Sequence, residues 1–151
     1  MPQDVRLSPD GSVFFVAAMM TNGVFVIDGA EMKILGFIPT GRGTHGLYFS
    51  RDSKWLYASN RGEGSISVID VKTRRVDRKW IFPRGGSPDM GGVSADGKVL
   101  WLSGRYHSEV YAIDTATGKL LARINVGTEP HGLCVWPQPG RYSLGHTGLM
   151  R

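Results

Sequence analysis

The sequence repeats itself with a period of 42 to 44 residues. Two features mark the period: a serine that opens a polar turn and an aspartate that closes a short apolar run. The serines are Ser8, Ser50 and Ser94, and the aspartates are Asp28, Asp70 and Asp114, so that each set is spaced by 42 and then 44 residues. Two independent anchors with the same spacing argue against chance similarity. A repeat of about 40 to 45 residues indicates the blades of a β-propeller.

Each repeat has the pattern of four short strands joined by tight turns. In the second repeat, strands are predicted over 46–50, 54–59, 65–70 and 76–82, and glycine-rich or Ser-x-Asp turns separate them. Asn-Gly and Pro-Asp-Gly sequences, such as those at 22–23 and 9–11, favour tight turns. No amphipathic helix is predicted. The expected fold class is therefore all-β, with propeller blades of four antiparallel strands.

The whole chain is predicted to be one partial propeller. The repeats cover about 2–43, 44–87, 88–129 and a partial 130–151. The partial repeat is predicted to have a strand at Leu133–Trp136, a turn at 137–140 and a short segment at 141–144. Three and a half blades are fewer than the usual four to eight, so the ring needs further blades. They would come from a missing N-terminal part or from a second chain, since two such chains would supply seven blades. We favour the missing part, because Met1 stands where a loop between blades is expected.

Composition narrows the possible functions only slightly. The net charge of +5 and the pI of about 9.6 make anionic partners plausible, nucleic acid among them. The single cysteine, Cys134, excludes an intramolecular disulfide, and its apolar surroundings predict a buried side chain. No CxxCH motif, secretion signal or apolar run long enough to span a membrane is present in the sequence.

One face of the predicted disc collects the residues of chemical interest. Successive loops of a blade alternate between the two faces, and the loops that enter the innermost strands lie on the face that we call upper. Five residues before each turn serine, at the entrance of these strands, lie Gln3, His45 and Asp89, and His131 holds the same position before Trp136. In a closed ring this position borders the central channel, so these side chains are expected to converge.

Arginines of the neighbouring upper loops surround this position. We call the combined set the upper funnel; it consists of His45, Asp89, His131, Arg42, Arg61 and Arg105. The upper funnel is predicted to bind an anionic small molecule or a protein partner. Two histidines alone do not specify a metal site, so no metal ligand is assigned. The alternative is that these polar side chains make structural bonds between neighbouring blades.

The remaining polar residues are predicted to have structural roles. The serines and aspartates of the lower turns have short side chains that bond to nearby backbone amides. No Ser-His-Asp arrangement, phosphate-binding loop or zinc-binding helix motif is present in the sequence, and no catalytic residue is assigned.

Several segments resemble the YVTN-type β-propeller repeat. They are Leu7-Ser8-Pro9-Asp10-Gly11, Leu56-Tyr57-Ala58-Ser59-Asn60, Ser67-Val68-Ile69-Asp70 and Val126-Gly127-Thr128-Glu129-Pro130-His131-Gly132. The resemblance extends over about residues 2–136. It implies a place in the C-terminal portion of a seven-bladed ring, in the group that includes lactonase-like proteins and the haem d1 domain of nitrite reductase. Because many members are exported from bacteria, it also implies a periplasmic or extracellular location.

The resemblance leaves the function open. Members of the group bind haem d1, hydrolyse lactones, or serve as binding and surface proteins. We expect a non-enzymatic binding or scaffold propeller without a cofactor. The alternative is part of an enzyme or redox domain, with lactone hydrolysis or haem d1 binding; His45 or His131 would be the haem ligand. Nucleic-acid binding is the second alternative.

Overall fold

The computed structural model describes residues 1–136 and has three four-stranded antiparallel sheets. The first sheet consists of β1 (Pro2–Leu7), β2 (Val13–Ala18), β3 (Gly23–Asp28) and β4 (Ile34–Pro39). The second consists of β5 (Thr44–Phe49), β6 (Trp55–Asn60), β7 (Ser65–Asp70) and β8 (Arg75–Ile81). The third consists of β9 (Pro88–Val93), β10 (Val99–Gly104), β11 (Glu109–Asp114) and β12 (Leu120–Asn125). The predicted all-β class and the four-stranded blades are confirmed.

The three sheets are consecutive blades of a propeller. Each sheet pairs its strands in chain order, and the first strands β1, β5 and β9 of successive blades lie next to one another. Apolar side chains from the facing surfaces pack between the blades. Phe15 and Leu56 belong to the core between the first and second blades, and Ile66 and Tyr111 to that between the second and third.

The Ser-x-Asp turns are structural, as predicted. In the first repeat the Ser8 hydroxyl donates to Asp10 Oδ1 over 2.6 Å and accepts a hydrogen bond from the Val13 amide over 3.0 Å. The same two bonds recur in the turns that begin at Ser50 and Ser94. The hydrogen bond from Ser8 lowers the pKa of Asp10 to about 2.

Two serines of the second strands join neighbouring blades. The Ser59 hydroxyl accepts from the Gly46 amide of its own blade over 2.8 Å and donates to the Asp89 carbonyl of the next blade over 2.9 Å. Ser103 has the same position in the third blade, where it accepts from the Met90 amide and donates to the His131 carbonyl. These bonds fix the position of the innermost strands, and therefore of the residues at the channel.

The start of the fourth repeat corrects two predictions. Leu133–Trp136 was expected to be a strand with Cys134 buried in it, but residues 131–136 form no strand and Cys134 is exposed. In each complete blade the first strand pairs with the strand after the Ser-x-Asp turn. The corresponding residues of the fourth repeat, together with the predicted turn at 137–140 and the segment at 141–144, lie outside the described residues.

Candidate functional site

Three residues of the upper funnel lie close together at the same position of three successive repeats. His45 lies near the start of β5 and Asp89 near the start of β9, and His131 holds the corresponding position in the fourth repeat. One ligand atom of each lies within 4.8 Å of the others, and the two imidazole ring centres are 6.1 Å apart. His45 and Asp89 are buried, whereas His131 is more exposed.

The contact between His45 and Asp89 is short but not a regular hydrogen bond. His45 Nδ1 and Asp89 Oδ1 are 2.7 Å apart. Even so, both atoms are fully buried and neither has a hydrogen-bond partner of acceptable geometry. The ring nitrogen and the carboxylate oxygen therefore lie side by side without the alignment that a hydrogen bond requires.

Arg61 forms an ion pair with the second carboxylate oxygen of Asp89. Its Nη1 atom lies 3.2 Å from Asp89 Oδ2, and its side chain is 9% exposed. Burial alone would raise the pKa of Asp89, but the contact with His45 and the charge of Arg61 together hold that pKa below its usual range. Asp89 is therefore a carboxylate at neutral pH, with two partners of complementary chemistry.

Arg61 and Arg105 flank an aromatic ring that the sequence analysis missed. The guanidinium carbon of Arg61 is 5.2 Å from the centre of the Tyr106 ring, and that of Arg105 is 5.7 Å away. Tyr106 is 60% exposed, in the short 3₁₀ turn Arg105–His107. A tyrosine beside one of two repeated arginines was the available signal, and we call these three residues the aromatic rim.

Arg42 lies on the exposed side of the upper funnel. Its side chain is exposed, and its charge acts on Glu63, whose pKa it helps to lower. Arg105 also has an acidic neighbour, because its Nη2 atom is 3.8 Å from Glu129 Oε2. Asp89, Glu63 and Glu129 therefore offset the arginines, and the upper funnel is less basic than the sequence alone indicates.

Within residues 1–136, no helix is long and apolar enough to cross a membrane. The described part of the chain consists of three four-stranded blades, with a cluster of polar side chains near the entrances of the first strands. These features define it as part of a β-propeller.

The chain belongs to the YNCE-like beta-propeller family, whose profile matches residues 1–140. A similar curated protein is NirF of Pseudomonas aeruginosa, which is 27% identical over 124 residues that cover 81% of this chain and 31% of NirF. The chain therefore spans about a third of the length of this relative. The suspected family resemblance is confirmed.

Solved structures show the same fold. Hydrazine synthase of Kuenenia stuttgartiensis superposes with a TM-score of 0.74 at 23% identity, covering 87% of this chain and 38% of that chain. The dihydro-haem d1 dehydrogenase NirN, solved in complex with DHE, gives a TM-score of 0.66 at 18% identity and covers 85% of this chain and 30% of its own. At this level of identity, the likeness concerns the fold alone.

Proposed function

We propose that this chain is part of a binding propeller that takes a planar anionic small molecule at the upper mouth of its channel. The observation that carries the proposal is the aromatic rim: two guanidinium groups on an exposed tyrosine ring. One of them, that of Arg61, pairs with Asp89, which lies in the same cluster as the partly exposed His131. An aromatic face binds a flat molecule by stacking, and a guanidinium binds a carboxylate with two parallel hydrogen bonds.

Of the two rim arginines, Arg105 is the one able to bind a ligand. Arg61 is buried and committed to Asp89, so its release would leave that carboxylate without its cationic partner. Arg105 is more open, and its pair with the exposed Glu129 is long at 3.8 Å. Exposed ion pairs contribute about 0–1 kcal/mol, so an anionic ligand displaces Glu129 at little cost. We therefore assign ligand binding to Arg105 and Tyr106, with His131 at the inner side.

The proposal predicts selective binding of planar anions. Titration calorimetry with 2-naphthoate is expected to show one site per chain, whereas the aliphatic anion hexanoate binds more weakly. Tyr106→Ala and Arg105→Gln are each expected to weaken naphthoate binding about tenfold, because each removes an interaction of roughly 1–2 kcal/mol. The matched control is Arg42→Gln, which removes an exposed arginine outside the aromatic rim.

Other outcomes of this titration would contradict the proposal. Equal losses in R42Q and R105Q would indicate general attraction to a basic surface. Binding of a single-stranded oligonucleotide that is stronger than binding of naphthoate, and that falls steeply with added salt, would favour the nucleic-acid alternative. Acid release from a lactone that is abolished by His131→Ala would favour the enzyme alternative.

Haem d1 is the second candidate ligand. It is suggested by one protein of the same fold, the dihydro-haem d1 dehydrogenase NirN, which was solved in complex with DHE. The donor set fits such a group: the partly exposed imidazole of His131 is a suitable iron ligand, and Arg105 is placed to pair with a carboxylate. Bound there, the group would supply redox chemistry. Titration with hemin would test this binding mode, since loss of the absorbance change in H131A supports it and an unchanged spectrum contradicts it.

We further propose that additional blades of a longer chain complete the ring. Val5, Val16, Phe25 and Phe37 lie in register across all four strands of the first blade. None of the four is buried, and Val5 is 48% and Phe37 40% exposed. An apolar row on the flat face of a blade is a surface for another blade. The curated relative NirF, of which this chain spans 31%, supports a longer chain as the source.

The state of the isolated chain in solution tests how the ring is completed. Size exclusion with light scattering is expected to show self-association without fixed stoichiometry, because nothing within residues 1–136 covers the apolar row. Phe37→Lys is expected to reduce this association, and Lys33→Ala is the control on the same blade. A stable dimer that unfolds cooperatively would contradict the proposal and would show that two chains share one ring. The periplasmic or extracellular location implied by the resemblance is likewise a proposal, which fractionation of producing cells would decide.

A further inference from the structure

A hydrogen bond does not explain why two buried atoms, His45 Nδ1 and Asp89 Oδ1, lie close together. Buried polar atoms in proteins are nearly always hydrogen-bonded, because an unsatisfied one destabilises the fold. Here His45 Nδ1 and Asp89 Oδ1 are both unsatisfied although they are 2.7 Å apart. Two adjacent electron-pair donors that do not bond to each other are the arrangement expected when both face a common third atom.

His131 supplies another donor at the same place. The ligand atoms of His45, Asp89 and His131 lie within 4.8 Å of one another, and the three residues come from three successive repeats. We propose that these residues form a binding site for a single divalent first-row transition metal ion. This inference goes beyond the proposed ligand at the aromatic rim and does not depend on it.

The geometry suits a bare ion. Metal bonds to imidazole nitrogen and to carboxylate oxygen are about 2.0–2.2 Å long, so ligand atoms around one ion lie roughly 3–3.5 Å apart. Binding an ion therefore requires His45 Nδ1 and Asp89 Oδ1 to move slightly apart from 2.7 Å and the longer separations, at most 4.8 Å, to close. Both changes need side-chain movements of about 1 Å or less. His131 is able to make them, since it precedes a segment that forms no strand.

The donor set selects the class of ion. Two imidazoles and one carboxylate favour zinc, iron, cobalt, nickel or copper over calcium and magnesium, which prefer oxygen ligands alone. His45 and Asp89 do not bind a macrocycle, because both side chains are buried and a molecule of the size of haem cannot reach them. A hydrated ion has access from the side of the more exposed His131.

Arg61 limits the affinity of the site. Its guanidinium lies 3.2 Å from Asp89 Oδ2, which leaves only Oδ1 for the ion. The positive charge of Arg61 also repels a cation bound to the same carboxylate. A variant that removes this charge while keeping the apolar stem, Arg61→Met, is therefore expected to bind the metal more tightly. If Asp89 had only a structural role, Arg61→Met would not be expected to change the affinity for the metal.

The test uses the full 151-residue chain, Zn²⁺ as the probe and no other ligand. Calorimetry in a Cys134→Ser background, which removes the exposed thiol, is expected to show one Zn²⁺ per chain. His45→Ala and His131→Ala are each expected to weaken binding by at least about tenfold. His107→Ala is the matched control, because its imidazole contacts Ser87 and lies outside the cluster. R61M is expected to bind Zn²⁺ roughly threefold to tenfold more tightly.

Titration with Co²⁺ provides a readout independent of affinity. The visible bands of Co²⁺ are expected to change when the ion binds, and this change is expected to disappear in H131A but not in H107A. H131A replaces the more exposed residue and keeps the buried pair of His45 and Asp89, so circular dichroism should show that it folds. Zn²⁺ binding that is equal in H131A and H107A would overturn the proposal. Unchanged affinity in R61M would remove Asp89 from the ligand set and would also overturn it.

Discussion

Replacing Asp89 by alanine is expected to destabilise the chain by about 3–5 kcal/mol. The reason is that Asp89 is buried between Arg61 and His45, and its loss leaves the Arg61 guanidinium buried without its counter-charge. Urea unfolding followed by circular dichroism measures the loss. Asp89→Asn is expected to cost less, since the amide oxygen still accepts a hydrogen bond from Arg61.

The surface pair of Asp77 and Arg78 provides the control. Its atoms are 2.6 Å apart, but both side chains are exposed to more than a third, so Asp77→Ala is expected to change the free energy of unfolding by less than about 0.5 kcal/mol. If D89A and D77A had similar effects, the buried cluster would not contribute to stability. The double variant D89N with R61M is expected to lose less than the sum of its parts, because the two residues share one interaction.

The contribution of Asp89 also depends on pH. Its pKa in the folded chain is lowered, mainly because the contact with His45 and the charge of Arg61 outweigh its burial. The stabilisation is therefore fully present above the unfolded pKa of about 3.9, and is lost as the pH falls through the lower folded value. The difference in stability between the wild type and D89N is accordingly expected to narrow below about pH 4.

Gly91→Ala is expected to cost about 3 kcal/mol or more, with no loss of a side-chain contact. A Cβ atom at Gly91 would lie 1.8 Å from the carbonyl oxygen of Trp101, on the paired strand β10. The backbones of β9 and β10 would have to move apart. The hydrogen bond that the Gly91 amide donates to the Tyr48 hydroxyl of the neighbouring blade opposes this movement. The expected result is a large drop in the midpoint of thermal unfolding.

Gly36 is the matched control for Gly91. It lies in β4, where an added Cβ would meet nothing within 4 Å. Gly36→Ala is therefore expected to leave stability unchanged or to raise it slightly, because alanine reduces the freedom of the unfolded chain. If both variants lost a similar amount of stability, the effect of replacing a strand glycine would come from its conformational propensity and not from the close approach of two backbones.

The repeat spacing was sufficient to predict the blades and the meeting of three site residues. In a propeller, one repeat position corresponds to one place around the channel, so the positions of His45, Asp89 and His131 followed from their distance to the turn serines. The turns were predictable as well, since Ser and Asp bond to backbone that is close in sequence.

Contacts between loops of different blades could not be predicted in this way. The ring of Tyr106 contacts both Arg61 and Arg105, but only Arg105 is near it in sequence. The neighbour of Arg42 was not predictable either: its side chain is exposed, and its charge helps to lower the pKa of Glu63. The burial predicted for Cys134 was wrong, because an apolar run is buried only where a neighbouring strand covers it.

At the interfaces between blades, different side chains accept the hydrogen bond from the neighbouring innermost strand. Between the first and second blades, the Asp4 carboxylate accepts from the Leu47 amide over 2.9 Å. Between the second and third, the Tyr48 hydroxyl accepts from the Gly91 amide, which holds the same repeat position as Leu47. Carboxylate and phenol are thus interchangeable here. The fold therefore constrains the presence of an acceptor and not the residue type that supplies it, in keeping with structures of 23% and 18% identity that share the fold.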